Sequence, residues 1–139
     1  MDSTTRTPAG PRGETGAAAE AATACYLEAA GWTVLARNLR VGRDEIDLLA
    51  REPAAPHTIV VVEVRARSRP GFGSPVESVD ARKVARLYRA AWTLRRDGHP
   101  ALGGTTVAGT HWRVDLVTLR RGAGGGWHVE GHLRGLCPP

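Results

Sequence analysis

Two carboxylates sit where strand-forming sequence leaves them few partners. Glu63 falls inside the run TIVVVEVRAR (58–67), flanked by Val60, Val61, Val62 and Val64. An ionised carboxylate left alone among valines costs several kcal/mol, so it demands a partner. Asp47 stands at a comparable depth in the preceding run EIDLLA (45–50). If the two runs pair, two oxygen ligands converge. A hard divalent cation such as Mg2+ or Mn2+ takes one or two carboxylates, keeps several waters and reaches out to substrate phosphate. Such an ion lowers the pKa of a bound water and neutralises charge building on a phosphate, which is the chemistry of phosphodiester cleavage. Arg65, two residues along the same face, would point at that phosphate. The structural alternative is a salt bridge from Glu63 to Arg65, Arg67 or Arg43 with no chemistry attached.

The elements that must position these residues follow from hydrophobic period and punctuation. An alanine-rich stretch, AAAEAATACYLEAAG, predicts a first helix from residue 13, ended by Gly31. TVLARN (33–38) and EIDLLA read as strands joined by the turn VGRD, with Ile46 and Leu48 on one face and Glu45, Asp47 and Leu49 on the other. REPAAPH reads as a loop. In the valine-rich strand Val60, Val62, Val64 and Ala66 share one face, and Ile59, Val61, Glu63, Arg65 and Arg67 the other. The loop SRPGFGSP leads to a second helix capped by Asp80, with Val84, Leu87, Tyr88, Ala91 and Leu94 as its buried stripe. Arg82, Arg86 and Arg89 form a basic ridge beside that stripe. After the glycine-rich connection GHPALGGTTVAGT, HWRVDLVTLR alternates as a fourth strand, and WHVEGHLRG reads as an edge strand. The expected organisation is a tail over 1–12, one domain over 13–121, and a glycine-rich loop with an edge strand over 122–139.

The 139-residue chain is 42% hydrophobic and 24% charged, which suits one compact core. No apolar run is long enough to span a bilayer, and the first residues lack the apolar stretch of a secretory signal, so the expectation is a cytoplasmic protein with no membrane partner. A formal charge of +5 favours a polyanionic partner such as nucleic acid. Lys83 is the lone lysine among 19 basic residues. Cys25 and Cys137 lack ligand spacing and read as buried bystanders. The five histidines are scattered and read as non-ligands. Trp32, Trp92 and Trp112 read as core or half-buried packing, with base stacking as the lesser alternative.

The succession helix, three strands, helix, strand, with an acid in the second strand and E-V-R in the third, resembles the restriction-endonuclease-like fold and, more narrowly, the YraN family. The matching residues are Gly16, Glu20, Tyr26 and Leu27, Gly31, Arg37 and Asn38, the run from Glu45 to Leu48, and the run from Val62 to Arg65. Arg67, Phe72, Gly73, Val79, Lys83 and the run from Arg113 to Asp115 complete them. The resemblance implies an α/β fold of order αβββαβ, a mixed central sheet flanked by helices. It further implies a catalytic set of Glu20, Asp47, Glu63 and Arg65, with Asp47, Glu63 and the Val64 carbonyl holding Mg2+ or Mn2+. Two departures stand out. Asp44 replaces a glycine and brings another negative charge near the site. Arg65 occupies the lysine position of the motif, and an arginine stays protonated; it can clamp a phosphate but cannot act as a base. Lys83 matches a recurring family lysine and is expected to supply the missing ammonium or to hold the nucleic-acid backbone.

The function expected from these readings is metal-dependent cleavage of nucleic-acid phosphodiesters, DNA favoured, with Arg67, Arg82, Lys83, Arg86 and Arg89 as backbone contacts. A catalytically silent nucleic-acid-binding module and a protein-interaction domain are the alternatives. Paired cuts on two strands would suit a homodimer.

Overall fold

The computed structural model describes residues 10–67, 79–103 and 111–138, with side chains from residue 16 onward. Its elements are α1 (Gly10–Ala29), β1 (Thr33–Val41), β2 (Asp44–Glu52), β3 (Ala55–Arg67), α2 (Ala81–Asp97), a 3-10 turn (Pro100–Leu102), β4 (His111–Arg121) and β5 (Trp127–Leu133). The fold is mixed α/β: five strands in the order β1-β2-β3-β4-β5 carry two helices. All neighbouring strands are antiparallel except β3 and β4. A parallel pair needs a long crossover, and α2 lies within it. Residues 1–9 of the tail expected over 1–12, the SRPGFGSP loop with Phe72 and Gly73, and most of the GGTTVAGT stretch lie outside the described residues; the last three residues of the expected tail, 10–12, belong to α1, which begins at Gly10.

The period-two reading of β3 is seen in the two cores. Val60, Val62 and Val64 pack with Ala19, Ala24 and Leu27 of α1, while Ile59 and Val61 pack with Leu87, Ala90, Ala91 and Leu94 of α2. The α2 stripe holds Val84, Leu87, Ala90, Ala91 and Leu94. Tyr88, expected inside it, is half-buried at the rim, where its hydroxyl donates to the Leu136 carbonyl at 2.6 Å. Asp80 caps the helix as expected, accepting from the Lys83 amide at 2.9 Å.

Other expectations are corrected. REPAAPH is no loop: β2 runs through Glu52 and β3 restarts at Ala55, leaving Pro53 and Ala54 as a tight turn, because buried Glu52 is held in place by Arg113 and Arg134. Ile46 and Leu48 do not share a face. Ile46 packs with Leu49 in the α2 core and Leu48 in the α1 core. The alternation breaks at Asp47, where β2 stops pairing with β3 after Leu48 and Val62. Trp92 is 61% exposed rather than packed, and both cysteines are exposed rather than buried.

Candidate metal and phosphodiester site

The break in the β2–β3 ladder creates the site. Beyond the Leu48–Val62 pair the next backbone partners would be Asp47 and Glu63, but the strands part there. The Asp47 side chain takes over the vacated role: its Oδ2 accepts the Val64 amide at 2.8 Å. A carboxylate thus replaces a backbone carbonyl at the end of a ladder, which satisfies a buried N–H and fixes the acid beside the Val64 peptide. Glu63, 2% exposed, points to the α2 side. Its Oε2 meets Arg65 Nη2 at 3.0 Å and Lys83 Nζ at 3.7 Å. Its other oxygen, Oε1, is buried without a partner among the described residues. Glu20 approaches from α1 on the other side of the sheet, within reach of Asp47 and of the Asn38 side chain.

These acids resist ionising together. Burial, then the charge of Asp47, pushes Glu63 up to about 7, although Lys83 and Arg65 pull it down. Burial and then Asp47 push Glu20 to about 7 as well, with Asn38 opposing. Asp47 is itself raised by burial, tempered by the Val64 amide and by Lys83. Asp47 is therefore the neighbour common to both glutamates. Like charges held in a desolvated site compete for one proton unless a cation neutralises them.

The donor set fits a hard cation. The oxygens are hard donors, and one buried carboxylate oxygen has no hydrogen-bond partner among the described residues. Among the described residues no three His, Cys, Asp or Glu side chains converge tightly enough to hold an ion by themselves. Two carboxylates are the number that Mg2+ commonly takes from a protein when water completes its shell.

The model of uncharacterised protein family UPF0102 matches residues 19–119, a span holding Glu20, Asp47, Glu63, Lys83 and Asp115. The chain belongs to that family. It is the YraN family named from the sequence. A UPF0102 protein of Beutenbergia cavernae is 39% identical over 87% of this chain and 93% of its own length. One of Mycolicibacterium smegmatis is 39% identical over 80% and 83%. One of Deinococcus radiodurans is 48% identical over 58% of this chain and 65% of its own length. A solved structure described as Pyrococcus furiosus SfsA in complex with Ca2+ is similar at 15% identity, covering 80% of this chain and 58% of that one, with a TM-score of 0.35. A likeness that distant carries no argument about this site.

Of the residues singled out in this UPF0102 chain, Glu20, Asp47, Glu63, Val64, Arg65 and Lys83 come together. Arg67 lies apart, bridging to Glu130 of β5 at 3.1 Å. Arg82 and Arg86 are exposed on α2. Arg89 grips Asp44 through two bonds, Nη2 to Oδ1 at 2.8 Å and Nε to Oδ2 at 3.0 Å. The extra charge of Asp44 is thereby neutralised by Arg89, and its carboxyl is held below the ordinary range by that hydrogen bond.

Sequence reading passed over two features. Asn38, quoted only as part of a motif, adopts a left-handed φ of 52° in β1 and acts on Glu20. Asparagine tolerates that conformation better than most residues, which was the available signal. The second is a buried ionic network around Asp115, which is 0% exposed. Its Oδ1 accepts from Arg113 Nε at 2.8 Å and the Gly135 amide at 3.0 Å; its Oδ2 accepts from Arg113 Nη2 and His132 Nε2, each at 2.9 Å. His132 Nδ1 meets the Tyr26 hydroxyl at 2.8 Å. Arg113 also donates to Glu52 at 2.8 Å, and Arg134 pairs with the same carboxylate. Partners from four elements met in space could not be read from spacing along the chain.

Proposed function

We propose that this UPF0102 protein is a restriction-endonuclease-like, metal-dependent phosphodiesterase acting on nucleic acid, DNA favoured. The observation that carries the reading is Glu63: a buried carboxylate with one oxygen committed to Arg65 and Lys83 and the other without a hydrogen-bond partner among the described residues, beside Asp47 at the point where two strands part. Asp47 and Glu63, with the Val64 carbonyl, would hold Mg2+ or Mn2+. A bound ion would supply a nucleophilic hydroxide at neutral pH and neutralise charge on the phosphate. Asp47 keeps the Val64 peptide rigid while it serves. Arg65 clamps the phosphate through its guanidinium rather than acting as a base. Lys83 places a second positive charge at the same carboxylate, where a leaving oxygen gains negative charge. Glu20, with its raised pKa, is suited to accept or release a proton near neutrality.

A second reading, a silent nucleic-acid-binding module, is favoured by one observation: Arg65 and Lys83 already neutralise Glu63 without any ion. Calorimetric titration of Mn2+ into the wild type and Glu63→Gln separates the two. The phosphodiesterase reading expects binding that the substitution removes, followed by Mn2+-dependent cleavage of a labelled oligonucleotide. Binding equal in both proteins, or none in either with oligonucleotide present, would sink it.

A further inference from the structure

The outer face of α2 carries a feature that metal chemistry does not use. Trp92 is 61% exposed, a cost in apolar hydration for the largest side chain in the repertoire. It lines a shallow groove of about 280 Å³ with Arg95 and Arg96. The Arg95 guanidinium lies 5.9 Å from the Trp92 ring centre. At 100° per residue, the order around the helix runs from Lys83 on the flank facing Glu63, across Arg86, Arg82, Arg89 and Arg96, to Trp92 on the far flank. Along the axis Lys83 and Trp92 are nine residues apart, roughly 14 Å. A basic ridge therefore separates the acidic site from an exposed indole. Arg89 and Arg96 are partly neutralised by Asp44 and Asp97, Arg86 is exposed within the field of the same Asp44, and Arg82 is exposed with no ion pair among the described residues.

We infer that this face is a single-stranded nucleic-acid subsite, in which the phosphates cross the arginine ridge and an unpaired base stacks on Trp92 against Arg95. Charge complementarity selects the occupant: a helix face of five arginines opposes a polyanion and repels a second copy of itself. The indole selects the form of that polyanion, because base faces are available for stacking in a single strand and hidden in a continuous duplex. Duplex contacts would need only the phosphate-binding arginines. The inference deepens the proposed function by naming the substrate class as nucleic acid with unpaired bases; it rests on the nucleic-acid half of that reading and not on the metal.

The test is fluorescence anisotropy with a labelled single-stranded oligodeoxynucleotide and with its duplex, in EDTA so that binding alone is read. Trp92→Ala should weaken single-strand binding about tenfold, the size of one lost base stack, and leave duplex binding unchanged. Trp92→Phe should restore most of the loss, and Arg86→Ala should weaken both substrates with a shallower salt dependence. Single-strand binding indifferent to Trp92→Ala, or a wild type that prefers duplex, overturns the subsite. So does a shift from dimer to monomer in Trp92→Ala with no change in binding, which would make the indole a contact between copies. If the Trp92 effect holds while Mn2+ binding and cleavage are absent, the subsite stands and the catalytic reading falls; no binding of any nucleic acid removes both.

Discussion

At the scale of single residues, Asp47 does two jobs that substitution can separate. As a hydrogen-bond acceptor it closes the ladder at Val64, and as a charge it burdens a buried acidic site. Asp47→Asn keeps an acceptor oxygen for the Val64 amide and discards the charge, so the metal-free variant should melt at or above the wild-type temperature. Asp47→Ala leaves a buried N–H without a partner and should lose about 1–3 kcal/mol. Thermal melts of the three proteins in EDTA check this; an alanine variant as stable as the asparagine variant would show that the Val64 bond contributes nothing. Glu63 has the same double nature. Glu63→Gln removes a buried charge whose pKa is raised to about 7, so it should raise the metal-free melting temperature by a few degrees while abolishing any upward shift on adding Mn2+. A melting temperature that falls instead would mean that the pairs with Arg65 and Lys83 outweigh the burial.

Among the elements, α2 matters most to the site, because its first turn delivers Lys83 to Glu63 and its buried stripe presses the helix onto β2 and β4. The Asp80 cap holds that turn. Asp80→Ala should cost about 1 kcal/mol in urea unfolding and lower the effect of Lys83 on the site, whereas Asp80→Ser should keep most of the stability. The elements also show what sequence made legible. The two faces of β3 and the cap and stripe of α2 were readable, because each follows from a local period or a local hydrogen bond, whereas the meeting of Asp47 with Glu63 depended on the two strands being neighbours. The switch of Ile46 to the other core was not, since a strand that peels away from its neighbour breaks the period of two without any glycine or proline to announce it. The turn at Pro53 was misread as a loop because the ion pairs that stabilise Glu52 come from residues Arg113 and Arg134, far along the chain.

For the whole molecule, the Asp115 network is the main polar tie between distant parts. It joins β4, β5, the segment after β5 and, through Tyr26 and Glu52, α1 and β2. Burial by itself would raise the Asp115 pKa, but hydrogen bonds from His132, Arg113 and the Gly135 amide prevail and hold it at about 2, against 3.8 for the ordinary group. The folded state thus binds this proton less well than the unfolded chain. Its stabilisation is complete above about 3.8 and lost as the pH falls through about 2. Asp115→Asn removes the charge and sets an amide donor against donors from Arg113 and His132, so at neutral pH it should cost about 3 kcal/mol. On acidification the gap between wild type and variant should narrow by roughly 1–2 kcal/mol, allowing for screening, because only the wild type has this stabilisation to lose. Urea unfolding of both proteins at neutral pH and at a series of acid pH values measures that gap. A gap independent of pH would show that Asp115 stabilises the fold by its shape and hydrogen bonds rather than by its charge, and the pairing of Asp115 with Arg113 would then serve to align β4 rather than to bind it.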